Sequence, residues 1–164
     1  MNIIERNNVK ILGNGEKTIV FGHGLGCDQQ MWSHLTKALE DRYRLVLFDY
    51  VGSGRSLLSA YDPTKYNTLQ GYANDLVEVI KAAQCNKVIY IGHSVSSMIG
   101  LLAAIEQPQL FERIVMIGPS PCYLNDGDYK GGFERSDILE LLDMMEMNFT
   151  GWASHLAPIV TDPE

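Results

Sequence analysis

The sequence predicts an α/β fold: a mostly parallel sheet with helices on both faces, an antiparallel hairpin at its N-terminal edge, and a partial helical layer added after the last strand. Two observations carry this reading. Four short apolar runs, Thr18-Ile19-Val20-Phe21, Leu45-Val46-Leu47-Phe48, Val88-Ile89-Tyr90-Ile91 and Ile114-Val115-Met116-Ile117, are rich in β-branched or aromatic residues and lack polar alternation, as strands covered on both faces do. Segments of helical period lie between them, and such alternation brings parallel strands together through right-handed crossovers.

Taken in order, residues 9–12 and 18–21 flank Asn14-Gly15, a strong turn signal, so the first two strands are expected to pair as a hairpin. The glycine-bracketed loop 22–26 then enters a helix carrying Met31 and Trp32. Leu69, Tyr72, Ala73, Leu76, Val77, Ile80 and Ala83 recur at steps of three and four behind Asn67 and Gln70, a variant of the capping box, which predicts a surface helix. Segment 95–105, with Met98, Ile99, Leu101, Leu102 and Ile105 and almost no charge, is too apolar for a surface helix and is expected to be buried on most sides. After Pro119-Ser120-Pro121, residues 122–132 read as loop. Asp137 then opens a helix with Ile138, Leu141, Leu142, Met145 and Phe149 on one face, and a short helix through Trp152 and Leu156 follows. Residues 1–121 therefore form the sheet-bearing part and residues 122–164 the start of a helical insertion.

Composition narrows the function classes. Of the 164 residues, 46% are apolar and 20% charged, the balance of a soluble globular chain. Thirteen Lys and Arg against twenty Asp and Glu give a net charge of −7, which argues against binding nucleic acid or anionic lipid. Charges at Glu5 and Arg6 stand where a secretory signal needs apolar residues, and no apolar run reaches membrane-spanning length, so a cytoplasmic protein is expected. Cys27, Cys85 and Cys122 are odd in number and widely spaced, fitting reduced thiols better than disulfides or zinc ligands. Neither a metal nor a cofactor is expected.

Chemistry concentrates at Gly92-His93-Ser94-Val95-Ser96, directly between a strand and a helix. A serine on such a turn is lifted above the sheet, and the helix N-terminus behind it offers unpaired amides and a positive dipole end to a developing anion. The usual pattern has glycine two residues after the serine, and here that place is Ser96. Gly22-His23-Gly24-Leu25-Gly26 follows an earlier strand, where glycines let backbone approach a substrate oxygen. It has no lysine at P-loop spacing and no dinucleotide fingerprint.

Four strings, Phe21-Gly-His-Gly-Leu-Gly-Cys-Asp-Gln-Gln-Met-Trp32, Phe48-Asp-Tyr-Val-Gly-Ser-Gly-Arg-Ser56, Gly92-His-Ser-Val-Ser-Ser97 and Pro119-Ser-Pro-Cys-Tyr-Leu-Asn-Asp126, resemble the α/β-hydrolases of the RsbQ type, bacterial stress-response regulators akin to the plant strigolactone and karrikin receptors. The likeness runs over essentially the whole chain. It implies an α/β-hydrolase core, a helical cap over a small hydrophobic pocket, and a serine-histidine-aspartate triad acting on a small hydrophobic substrate. By position, Ser94 is the nucleophile, and the amides of Leu25 and Val95 form the oxyanion hole. The resemblance also implies a regulatory phosphatase as partner in a sigma-factor stress pathway.

The triad acid and histidine of this fold lie on loops after later strands, and neither has a counterpart in the sequence. The C-terminal strands are expected to be missing, on the order of 100 residues at about 30 per strand-helix-strand unit, and the chain to be nearly inactive alone. His23 and His93 read as structural, His34 as a surface or packing residue, and His155 as a cap residue rather than an aligned base. Asp49, Asp126 and Asp128 read more readily as loop or capping carboxylates than as the acid. Met144, Met145 and Met147 with Phe133 and Trp152 either line a ligand pocket or pack on a neighbouring helix; Phe133 and Trp152 are the pocket candidates. Three readings follow: a serine hydrolase, a non-catalytic small-molecule-binding and signalling module, and a fragment without independent function.

Overall fold

The computed structural model describes residues 1–161, which form two compact units dividing after Pro119. The first unit is a five-stranded sheet of order β1-β3-β2-β4-β5, from β1 (Lys10–Leu12), β2 (Thr18–Gly22), β3 (Arg44–Leu47), β4 (Val88–His93) and β5 (Phe111–Ile117). The last four are parallel. Strand β1 is antiparallel, as expected of the N-terminal edge, but its partner is β3, with Ile11 opposite Val46. Asn14-Gly15 therefore does not close a hairpin: the chain passes over β3, and β2 takes an inner place where all five of its residues are buried. Burial on both faces outweighed local turn chemistry.

Within each apolar run, alternate residues serve opposite faces. Val20, Val46, Phe48, Val88 and Tyr90 pack against α3 (Leu69–Ala82) and α4 (Val95–Glu106), through Leu76, Ile80, Ile99 and Ala103. Ile19, Phe21, Leu45 and Leu47 face the other way, onto Trp32 and Leu39 beside α2 (Ser33–Leu39). Each of the larger side chains so buried contributes roughly 1.5–3 kcal/mol. The cap of α3 differs from expectation: Thr68 stands at its N-terminus with no side-chain cap bond, and Asn67 and Gln70 form no box.

Helix α4 is less enclosed than its composition implies. Ile99 and Ala103 are buried, but Ile105 is 69% exposed and Leu101 40%. Strand β5 ends the described sheet, and its Val115 and Ile117 are 43% and 41% exposed, where the run was expected to be covered on both faces.

A short helix not anticipated from the sequence, α1 (Ile3–Arg6), is tied to α3 by charge. Arg6 lies 3.0 Å from the fully buried Asp75, which also holds Lys65 at 2.6 Å and accepts from the Tyr66 hydroxyl at 2.8 Å. No described helix is long and apolar enough to cross a membrane.

The second unit holds a loop with a tight turn, where the Asp126 and Tyr129 backbones bond reciprocally, followed by α5 (Arg135–Met147) and α6 (Phe149–Thr161). Glu134 and Asp137 form a reciprocal capping box on α5. Of the residues expected on its apolar face, Ile138, Leu141 and Met145 are half-buried, while Leu142 and Phe149 are exposed.

Replacing Asp75 by alanine removes the buried carboxylate shared by Arg6, Lys65 and Tyr66 and leaves Arg6 paired, among the described residues, only with Glu78, at 2.6 Å. It is expected to lower stability by about 1–3 kcal/mol, read as a fall in the urea midpoint of unfolding.

Candidate active site

Strand β4 turns into α4 within one residue. Ser94 takes φ +56° and ψ −125°, a conformation that side chains rarely adopt and that costs about 1–3 kcal/mol. Surrounding bonds hold it there: the Ser94 amide donates to the Ile117 carbonyl at 2.8 Å, and the Ser97 hydroxyl donates to the Gly92 carbonyl at 2.8 Å. Glycine is required at 92 because a Cβ there would stand 2.6 Å from the Ser96 carbonyl oxygen. Val95 opens α4, so its amide has no intrahelical acceptor and lies at the positive end of the helix dipole.

Loop 22–26 lies beside this turn. A Cβ on Gly24 would be 3.5 Å from the Ser94 Cβ and 2.7 Å from His93 Nδ1. His23 is 98% buried and engages both ring nitrogens. Its Nε2 can only accept from the Tyr50 amide, at 3.2 Å, so the proton sits on Nδ1, which donates to the Gly24 carbonyl at 2.9 Å. Across a trans peptide the carbonyl and the following amide point in opposite directions. Fixing the Gly24 carbonyl against the His23 ring therefore turns the Leu25 amide away from it. Burial lowers the His23 pKa despite the opposing Gly24 bond and the charges of Asp49 and Asp28, keeping the ring neutral at pH 7.

Below the turn, Tyr50 and Tyr90 meet hydroxyl to hydroxyl at 3.0 Å. Tyr90 donates to the Ser96 carbonyl at 3.0 Å, so Tyr50 is the donor to Tyr90. Burial raises both pKa values, that of Tyr50 to about 12, and both phenols keep their protons. The Ser96 hydroxyl donates to the His23 carbonyl.

Asp49 is a structural hub. Its carboxylate accepts from the amides of Gln29 and Arg55, both at 2.9 Å, and from the Asn8 side chain at 2.7 Å, while the Asn7 side chain holds its carbonyl at 2.9 Å. Burial pushes its pKa up, but the donors from Asn8, Arg55 and Gln29 together prevail and the net shift is downward. The turn role expected of Asp49 fits this arrangement.

His34 is exposed on α2. Burial, followed by the charge of Asp28, raises the Cys27 thiol pKa, keeping it protonated. In the second unit, Asp126 and Asp128 are exposed turn residues and His155 is exposed on α6. Trp152 is buried against Phe149, with ring centroids 5.3 Å apart, and Phe133 is half-buried where its amide meets the Tyr123 carbonyl. The sequence reading did not single out Tyr50 or Tyr90 for the site. A tyrosine inside an otherwise aliphatic strand was the available signal for Tyr90, since a buried phenol needs a partner.

A serine on a strained strand-to-helix turn beside a glycine-rich loop defines the class, and residues 17–143 match the alpha/beta hydrolase fold; the chain belongs to that family. It is 47% identical over 161 residues to karrikin insensitive 2 receptor CA of Petunia hybrida, covering 98% of this chain and 60% of that protein. It is 39% identical over 158 residues to strigolactone esterase D14 of Arabidopsis thaliana, covering 96% and 59%. A solved hydrolase from Oleispira antarctica superposes with a TM-score of 0.88 at 46% identity, over 96% of this chain and 58% of that one. The chain thus spans about 60% of the length of the curated relatives it matches.

Both buried groups remove stability on acidification, in separate windows. The His23 pKa is lowered from 6.5, so the unfolded chain takes up this proton first and stability falls as pH drops below 6.5. The Asp49 pKa is lowered from 3.8, so its contribution is present above 3.8 and lost as pH falls through the folded value. Urea midpoints measured across both windows are expected to show each slope, at most about 1.4 kcal/mol per pH unit per group. His23→Gln should flatten only the upper window and Asp49→Asn only the lower.

Proposed function

We propose that the protein acts as a serine hydrolase on a small, largely apolar ester or lactone, with Ser94 as nucleophile and the amides of Leu25 and Val95 binding the oxyanion. The observation that carries this reading is the left-handed backbone of Ser94 at the junction of β4 and α4, a strain the surrounding bonds sustain. In the reaction Ser94 Oγ forms a bond to the substrate carbonyl carbon, and the bond to the leaving alkoxide oxygen breaks. A base takes the hydroxyl proton and returns it to the leaving group. Water then cleaves the acyl-enzyme, releasing the acid and restoring the hydroxyl.

Among the described residues, we assign the base and its orienting acid to none. Both ring nitrogens of His23 are engaged, His34 is exposed, and Asp49 is committed to three donors. Residual turnover, on the order of 10³ to 10⁴ over water, is what an oxyanion hole and binding supply by themselves. Phe133 and Trp152, aromatic residues of the second unit, are proposed as apolar contacts for the substrate.

The finer reading is a regulator of the RsbQ type with a phosphatase partner in a stress sigma-factor pathway, and it rests on the four motif strings. A second reading, a small-molecule-binding and signalling module, is favoured by the pairing of receptor and esterase among the relatives. Ser94→Ala separates the two, because it removes hydrolysis and spares partner docking.

Incubation with a fluorophosphonate probe, read by intact mass, tests the first reading. Slow labelling confined to Ser94 and lost in Ser94→Ala is expected. Equal labelling of Ser94→Ala overturns the assignment, and labelling at the speed of a triad enzyme overturns the reading that the described residues hold no base.

A further inference from the structure

Position 96 lies two residues beyond the candidate nucleophile, where a second glycine is usual. Here it is a serine with no exposed surface, on the first turn of α4. A buried hydroxyl destabilises unless it finds a partner, and in a helix the ordinary partner is a carbonyl one turn back. Ser97 keeps its bond close in sequence, donating to the Gly92 carbonyl of β4 five residues earlier. Ser96 does not: its hydroxyl reaches 73 residues back in sequence, to the carbonyl of His23.

That carbonyl belongs to the segment that presents the Leu25 amide. The Ser96 backbone, in turn, lies directly after Val95 and is gripped from below by the Tyr90 hydroxyl, 3.0 Å from its carbonyl. One residue therefore touches both halves of the proposed oxyanion hole. We propose that Ser96 is a positioning residue: its hydroxyl fastens the loop of His23 to the first turn of α4 and so sets the spacing between the amides of Leu25 and Val95. The proposal rests on the hydrolase reading above. The spacing matters because such donors act only when they lie about 2.7–3.1 Å from the developing oxyanion, so a loop free to shift by a fraction of an ångström weakens both. Glycine at this position would remove the side-chain hydrogen bond that joins the two segments.

The experiment uses the 164-residue chain and its Ser96→Ala and Ser96→Gly variants, both of which remove atoms and leave room to fold. Arg44→Met is the control: it removes bonds to Ala83 and Cys85 at the opposite end of the sheet from Ser94 and is expected to lower the melting temperature. Two quantities are read: hydrogen exchange of the peptide spanning residues 22–27, and the rate at which the fluorophosphonate probe labels Ser94. Both Ser96 variants should speed loop exchange about tenfold and slow labelling about tenfold, a fraction of the 10²–10³ that removal of one oxyanion donor costs. Arg44→Met should move neither. Unchanged exchange and labelling in Ser96→Ala overturn the proposal, and so does an equal change in Arg44→Met, which would mark a general loss of stability. If the parent chain is not labelled at Ser94, the hydrolase reading fails by itself. Loop exchange then still decides whether Ser96 fastens the loop.

Discussion

The crossing of β4 and α4 at Gly92 constrains everything above the sheet. The helix starts so close to the strand that a single added carbon at 92 would collide with backbone of residues 96 and 97. A chain reversing in so little space cannot keep every residue in an ordinary conformation, and Ser94 takes the strain. The strain persists because independent bonds hold it from β5, through the Ile117 carbonyl, and from the helix, through the Ser97 amide to the Ser94 carbonyl. A reactive hydroxyl raised above a sheet is thus a consequence of close packing beneath it.

The loop opposite is held by a different kind of constraint. His23 is useful as a neutral ring: one nitrogen accepts from β3's continuation at Tyr50 and the other donates to Gly24, and protonation would remove the acceptor. Burial secures that neutrality against the pull of Asp49. Asp49 keeps its own charge in a buried place because three donors converge on it, from α1's continuation at Asn8, from the start of the turn before α2 at Gln29, and from Arg55. Two titratable groups a few residues from the site are held in opposite charge states by opposite balances of desolvation and hydrogen bonding. Neither is free to exchange protons with a substrate, which is why both belong to the scaffold.

The fold was legible where its signals are local and repeated. Each apolar run became a strand because burial on both faces leaves no room for polar alternation, and the period of residues 69–83 became α3 for the same reason on one face. Ser94 was legible because the motif and its strand-helix context coincide in sequence. Features set by distant partners leave no such local signal. Asn14-Gly15 states that the chain turns, not which strand receives β1. The bonds from Ser96 to His23 and from Asp49 to Asn8 join residues 73 and 41 positions apart, and no pattern along the chain announces them.

Segment 95–105 shows how a correct physical premise meets an unexpected surface. Its near absence of charge implies burial on most sides, and Ile99 and Ala103 fulfil that against the sheet and α3. Leu101 and Ile105 stay exposed, as do Val115 and Ile117 on the edge strand. Apolar surface on neighbouring elements is unfavourable in water and is ordinarily covered. Composition reports how much contact a segment is built to make, not which contact is present. These residues are as apolar as core residues without being in the core. The candidate nucleophile, its strained turn and the loop beside it draw on β2, β4, α4 and a single carbonyl of β5, so the site is organised independently of the exposed side chains at that edge.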